Sequence, residues 1–446
     1  MDTSREKNAI SHPRKRNRGK PSLRTVAIAI SLVLLLSIGA YFLFVRDSSG
    51  GAPAEVWTDV PELALYVELF NSTQSRNILD VRWKSDLAAA LRETKAMPAL
   101  VVGRYLKSAG TRDRFQALDY LFGELTVNQS AFYPGLLALG SMEGRQLLLP
   151  VSFDIPAIVF MRGGESKISD DFLVGMEGMA QAAKLYNKKQ GESYTRMGFS
   201  PRWNPDFLCL AAAAAGAGFK EGKPLAYSDS GLRSAVDELR AWTRDANGSP
   251  SLEDDFQFKY LYTPAYKYVA EGRALFAYLT SDEFFLVPEE KRSILDYRWF
   301  ARNGLVPVDE GIVYAALPRA GRDKPKAEAF LTWFFQEDNQ KAMLEKARTT
   351  RAIEGSFGIA SGFSSIRSVN ERVFPLYYPS LVGHLPPADS LAPPNVLPGD
   401  WPELKDKVVG PWLVEVTSHE SGVSQDLGKK LEEQIAAHYK RKAATR

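Results

Sequence analysis

Residues 147–160 read LLLPVSFDIPAIVF, and no other stretch limits the fold of this chain so tightly. Two short runs, 147–149 and 158–160, are rich enough in Leu, Ile and Val to be buried strands, with Pro150, Ser152, Asp154 and Pro156 between them. Each proline fixes φ and removes a ladder donor. The pairing register therefore has to change between Pro150 and Pro156, as it does where a chain leaves one sheet and enters another. The stretch reads as a hinge; an edge strand running into a turn is the alternative that the same residues allow.

A chain of 446 residues exceeds what one core usually serves, so two lobes are expected. Its 45% apolar and 24% charged residues are those of an ordinary globular protein, and no stretch is low-complexity on a large scale.

The N-terminus carries a separate signal. Arg5, Lys7, Arg14, Lys15, Arg16, Arg18, Lys20 and Arg24 precede residues 26–45, an apolar run broken only by Ser31, Ser37 and Gly39. A run of about twenty such residues is long enough to cross a bilayer as a helix, and the basic flank stays inside. The reading is a basic cytoplasmic tail over 1–25, a transmembrane anchor over 26–45, a flexible linker over 46–54 and an extracytoplasmic body beyond. Ala52-Pro53-Ala54 has the spacing of a signal cleavage site, but the apolar run is longer than a cleavable signal uses, so an uncleaved anchor is expected. No cysteine sits just after that run to carry a lipid, and the lone Cys209 forms no intrachain disulfide.

Net charge changes once this segment is set aside. The first 54 residues hold nine Lys+Arg and three Asp+Glu, which leaves 47 basic against 50 acidic, or −3, for the rest. The outer body is therefore not a nucleic-acid or other polyanion binder.

Beyond the linker, short apolar runs alternate with amphipathic stretches. Residues 55–58 read as a strand. Asp59 and Glu62 then stand at capping-box spacing ahead of Leu63, Tyr66, Val67 and Phe70 at i, i+3, i+4, i+7. Further strands at 78–83 and 99–102 flank a helix at 86–92, with intervals that suit parallel crossovers in an α/β layer fold. Residues 305–317 alternate β-branched residues with Pro307, Asp309 and Gly311 and form a second crossing candidate; Arg348 to Arg351 is a third interruption. Residues 326–346 predict one long helix, 385–402 with six prolines an extended loop, and 425–440 a terminal helix.

Chemistry is narrowed mainly by what the chain lacks. His12, His384, His419 and His438 are not at metal-ligand spacing, so no metal is expected. Gly198-Phe199-Ser200 and Gly362-Phe363-Ser364 lack the second glycine of a nucleophile elbow. Phosphate-cradling and dinucleotide fingerprints are missing, which leaves no cofactor to expect. Paired carboxylates such as Asp254 and Asp255, or Asp282 and Glu283, suit a glycosidase, but a long sequence contains such pairs regardless. What remains are aromatic and polar residues at turns: Trp57, Thr58 and Asp59; Arg104 and Tyr105; Ser152, Phe153 and Asp154; Arg202, Trp203 and Asn204; and Arg351. Ring faces cover the apolar face of a polyhydroxylated ligand while carboxylate and guanidinium groups bond its hydroxyls. Each of these residues alone also has a purely structural reading.

Read in order, VWTDVPELALYVELFN (56–71), LLLPVSFDIPAIVF, MGFSP (197–201) with EGKP (221–224), EGRALF (271–276) and AEAFLTWFFQEDNQKAML (327–344) resemble the extracellular solute-binding proteins of ABC importers. The resemblance is to the sugar-oriented group that includes the maltose-binding proteins. It implies an α/β, two-lobed periplasmic-binding-protein fold of the type II kind, with interleaved lobes: 55–152 plus 312–347 as lobe I, 153–311 plus 348–446 as lobe II. It implies ligand contacts from Trp57, Thr58, Asp59, Ser152, Phe153 and Asp154, stacking by Trp203, no catalysis, and ABC permease subunits as partners. A body on its own span departs from the free periplasmic proteins and lipoproteins of many bacterial members. A membrane-tethered sensor or scaffold on the same fold, or an extracytoplasmic glycoside hydrolase, are the rival readings.

Overall fold

The computed structural model describes residues 52–164, 168, 172–223, 225–352, 355–419 and 427–444 and builds them on two main sheets. The expected anchor at 26–45 and the basic tail before it lie outside the described residues. Among those described, no helix is long and apolar enough to cross a membrane.

The first units follow the alternation in the sequence. β1 (Ala54–Thr58), α1 (Leu63–Thr73), β2 (Leu79–Trp83), α2 (Leu87–Glu93) and β3 (Leu100–Arg104) succeed one another, and β1 pairs in parallel with both β2 and β3. Leu63, Tyr66, Val67 and Phe70 form the buried stripe of α1. The capping box does not form. Thr58 Oγ1 takes the amide of Val60 at 2.9 Å, and α1 starts without a side-chain cap. The carboxylate of Asp59 is thereby left for other use.

β4 (Leu149–Phe153) belongs to the first sheet, whereas β5 (Pro156–Met161) is already central in the second. Only Asp154 and Ile155 separate them. The pairing irregularity expected from Pro150 on is present in the ladder beside β4, and residues 147–160 cross from the first sheet to the second. Successive residues of β5 alternate between two buried faces, as a strand covered on both sides must. β6 (Leu173–Val174), α3 (Pro205–Ala212), β7 (Phe276–Thr280) and β8 (Leu295–Phe300) complete the second sheet, in the order β7-β5-β8-β6, and its nearest helix. Ile158, Phe160, Phe276 and Phe300 face a core closed by Phe207, Trp401 and Trp412, while Val159, Tyr297 and Trp299 on the opposite face join the core of the first sheet. At roughly 1.5–3 kcal/mol per buried large side chain, this shared layer ties the lobes more firmly than strands alone would.

The second crossing starts at β9 (Val306–Pro307) and enters the first sheet as β10 (Val313–Ala316), antiparallel to β3 and β4. The expected single helix over 326–346 is two, α4 (Lys324–Phe334) and α5 (Glu337–Thr349). Neither Gly nor Pro marks the break. Instead the side-chain amides of Asn339 and Gln340 donate to the terminal carbonyls of Trp333 and Phe334 at 2.7 and 3.2 Å, so α5 caps the helix before it. β11 (Phe363–Ser364) returns to the outer edge of the first sheet against β4, giving the order β11-β4-β10-β3-β1-β2. Residues 363–364 thus lie on the first sheet, although the division expected from the sequence assigns everything after 347 to lobe II. The proline-rich stretch contains β12 (Leu391–Ala392), paired in parallel with β9, so it is a further crossing that runs beside the second. A helical run over 401–417 and α6 (Leu427–Ala444) pack on the second sheet's helices.

Candidate ligand-binding cleft

β1, β2 and β3 are parallel, so their carboxyl ends open on one side of the sheet, where ligands bind in open α/β layers. The turns there carry Asp59, Asp86, Arg104 and Tyr105. Across from them lie Asp400, Glu403, Tyr439 and Lys442, and the open cavity between has a volume of about 880 Å³.

Asp59 leans on β3. The amide of Arg104 donates to Oδ2 at 3.4 Å, while the buried Oδ1 has no hydrogen-bond partner. Burial raises its pKa, and the charge of Arg104 pulls the other way. Gly103 makes this approach possible: a Cβ there would fall 2.6 Å from Asp59 Oδ1 and 2.3 Å from Leu87 Cδ2. Tyr105 has φ 57°, a left-handed conformation rarely taken by an aromatic residue, and turns the chain sharply at the strand end. Burial and the nearby Glu310 and Asp309 hold its phenol protonated.

Both crossings contribute carboxylates beside Arg104. Asp154 Oδ1 accepts from the Ser281 hydroxyl and from the amide of Asp282 at 3.1 Å. Burial, then the charges of Asp282 and Asp309, lift its pKa well above the usual carboxylate range. Asp309 is pushed up to about 7, by burial first and then by Glu310. Glu310 goes the opposite way, because Lys405 Nζ at 3.1 Å and the indole of Trp401 at 2.7 Å hold it ionised against the cost of burial. Lys405 also reaches Asp206, at 3.0 Å. The cavity wall therefore offers carboxylates, the phenols of Tyr105 and Tyr439, and a guanidinium, with Asp154 and Asp309 buried beside Arg104. Among the described residues, none forms a hydrogen bond or ion pair with the Arg104 side chain, and these groups together can bond a series of hydroxyls.

The residues singled out in the sequence fall into two groups. Asp59, Arg104 and Tyr105 line the cavity, and Asp154 is electrostatically coupled to Arg104 beside it. The others are placed elsewhere. Trp57 and Thr58 are buried in β1 with Lys84 Nζ 4.3 Å above the indole. Ser152 donates to the Ala360 carbonyl at 3.0 Å, and Phe153 packs between Tyr133 and Phe363. Arg202 is buried against Glu253 at 3.1 Å, where its charge offsets that of the buried carboxylate. Trp203 stacks on Phe256 at 5.3 Å and 17°, and Asn204 caps α3 through the amides of Asp206 and Phe207. Arg351 is exposed after α5.

Sequence reasoning misses Asp309 and Glu310, although the signal is the one that picks out Asp154: acids interrupting an apolar crossing. Lys405, Glu403 and Lys442 have no local signal, because on a helix they look like any solvated face, and Asp400 stands in the proline-rich stretch read as a loop.

No family model and no curated protein sequence matches the chain. Solved structures with the same fold do. One is the cyclic alpha-maltosyl-1,6-maltose binding protein from Arthrobacter globiformis, at 15% identity over 87% of this chain and 99% of that one, with TM-score 0.60. Another is the GacH receptor of Streptomyces glaucescens GLA.O, at 14% identity over 86% and 97%, with TM-score 0.57. The maltose/maltodextrin-binding domain MalE from Bdellovibrio bacteriovorus bound to maltotriose matches at 13% identity over 86% and 100%, with TM-score 0.52. At such identities the likeness is one of fold, and the fold is the two-lobed α/β architecture that the ordered motifs imply.

Proposed function

We propose that this chain is a membrane-anchored, extracytoplasmic solute-binding protein that captures a carbohydrate in the cleft and delivers it to the permease of an ABC importer. The observation that carries the reading is the cavity at the ends of β1, β2 and β3, lined by Asp59, Arg104 and Tyr105 from the first lobe and by Asp400, Glu403, Tyr439 and Lys442 from the second. Neighbours of this fold are described with oligosaccharides, maltotriose among them, and a cavity of about 880 Å³ has room for a ligand of that size. Asp59, Arg104, Tyr105 and Asp154 are the proposed contacts, joined by Asp309. The role is binding with no turnover, and residues 26–45 hold the body at the outer face of the membrane as a tethered receptor.

A thermal-shift screen of the full chain in detergent tests this, with mono- and oligosaccharides, polyols and phosphorylated sugars as probes. A ligand bound only by the folded state raises the melting temperature, by about 2.7 kcal/mol of added stability at a hundred times its Kd. An oligosaccharide is the expected hit, recovered unhydrolysed. No shift with any probe, or release of cleaved sugar, overturns the reading.

A further inference from the structure

We propose that Glu221 is a latch that holds the lobes together before any ligand arrives. It lies on the hairpin formed by Lys220–Glu221 and Leu225–Ala226, in the layer packed on the second sheet. Its carboxylate reaches out of that lobe to the loop after β3. There Oε1 accepts the amide of Ala109 at 2.7 Å, and Oε2 meets Arg112 Nη1 at 2.7 Å. Both contacts are short and charge-assisted, and the Arg112 and Glu221 side chains are only 29% and 19% exposed, which limits screening by solvent.

The hairpin is braced so that this reach is fixed. The amide of Glu221 donates to the Val396 carbonyl at 2.7 Å, and Asn395 donates to the Phe219 carbonyl at 3.2 Å, which ties it to the proline-rich crossing. On the same crossing, Gly399 comes so near the first lobe that a Cβ would lie 3.0 Å from Ser108 Oγ. Glu221, Ala109 and Arg112 do not line the cavity, whereas Ser108, Gly110 and Gly399 do. The bridge thus spans the lobes next to the binding space without occupying it.

A contact of this kind favours the closed form whether or not the cleft is filled. By linkage it raises affinity for any ligand that prefers closure and slows both entry and escape. The inference concerns the empty molecule, so it does not depend on which ligand is bound.

Pulsed EPR on the full chain without ligand tests it, with spin labels at Asp113→Cys and Lys223→Cys, exposed positions on either side of the bridge, and Cys209 left buried in place. With Glu221 intact, one short distance is expected. Glu221→Ala and Arg112→Ala should each raise the long-distance population about fivefold or more, and Glu221→Gln, which keeps an acceptor for Ala109, should raise it less. Unchanged distributions in both alanine variants, with melting as in the parent, overturn the latch, and so does a long-distance majority in the parent. If the sugar screen fails while these shifts occur, the functional reading falls and the latch stands.

Discussion

The amide of Asp309 donates to the carbonyl of Asp154 at 2.9 Å, so the two crossing strands are tied to each other at the point where both carry a carboxylate. The two crossings are thus joined backbone to backbone beside Arg104, next to the cavity. Any motion that parts the lobes has to work around this bond, and any proton taken up by one acid is felt by the other.

That coupling sets a pH dependence. In an unfolded chain both aspartates titrate near about pH 3.9. In the folded protein Asp309 keeps its proton up to about pH 7 and Asp154 is also raised, so between these limits the native state binds more protons. The Asp309 contribution is fully present below about pH 4 and is lost as pH rises through about 7, and that of Asp154 has the same sign. Glu310 has the opposite shift, but it acts only below its ordinary range and leaves this window unaffected. Thermal melts should therefore fall by about 2 °C or more from pH 5 to pH 8. Asp309→Asn should flatten most of that slope; an equal slope in the variant would assign it to other groups.

Gly103 makes a second case. A methyl added there would meet Leu87 Cδ2 and Asp59 Oδ1 both inside 3.0 Å, so Gly103→Ala must push α2 or Asp59 away from β3. Overpacking of this kind costs about 1–3 kcal/mol. Urea denaturation should show that loss, and ligand affinity should fall with it because Asp59 moves. A variant as stable and as tight as the parent would show that the Asp59 position is not held by Gly103.

Arg104 and Tyr105 separate affinity from stability. Arg104→Ala removes a guanidinium that bonds no described side chain, so calorimetry should show binding weakened roughly tenfold or more at an unchanged melting temperature. Tyr105→Gly removes the phenol and also relieves a strained φ of 57°, a conformation that costs about 1–3 kcal/mol. The ring also packs against the core of the second sheet, so ligand affinity and net stability should both fall, but less stability should be lost than in Tyr105→Ala, which keeps the strained φ. Equal stability losses in the two variants would show that the φ carries no strain.

How much of this can be read in the residues varies with how local each cause is. Pro150 and Pro156 restrict their own backbone, and the crossing they mark is where the sheets change hands. The stripe of α1 is legible for the same reason. The Asp59 cap fails because Thr58 Oγ1, one residue earlier, takes the amide of Val60, a competition that spacing cannot rank. β11 is illegible because a two-residue strand owes its existence to Phe153, more than two hundred positions away. The break between α4 and α5 depends on amide side chains folding back, not on a breaker residue. Asp309 and Glu310 are visible as acids but not as a pair with opposite shifts, since the groups that hold Glu310 ionised, Lys405 and Trp401, come from much later in the chain.

Arg202 carries the last prediction. The sequence marks it as a candidate ligand contact, yet it lies 3% exposed against Glu253, which is fully buried and also bonded by Asn247 and Thr243. Burial pushes the Glu253 pKa up, and Asn247 and Arg202 oppose that shift. Removing one partner of a buried pair leaves the other charge uncompensated, at a cost of about 3–5 kcal/mol, whereas replacing both with apolar groups is often neutral. Arg202→Ala should thus lose several kcal/mol in urea titration, and Arg202→Met combined with Glu253→Leu should recover most of it. Under conditions where the single variant is still folded, its affinity for the cleft ligand should stay within about twofold of the parent, as expected for sites without shared partners. A large affinity loss in the stable double variant would instead put the guanidinium on the ligand.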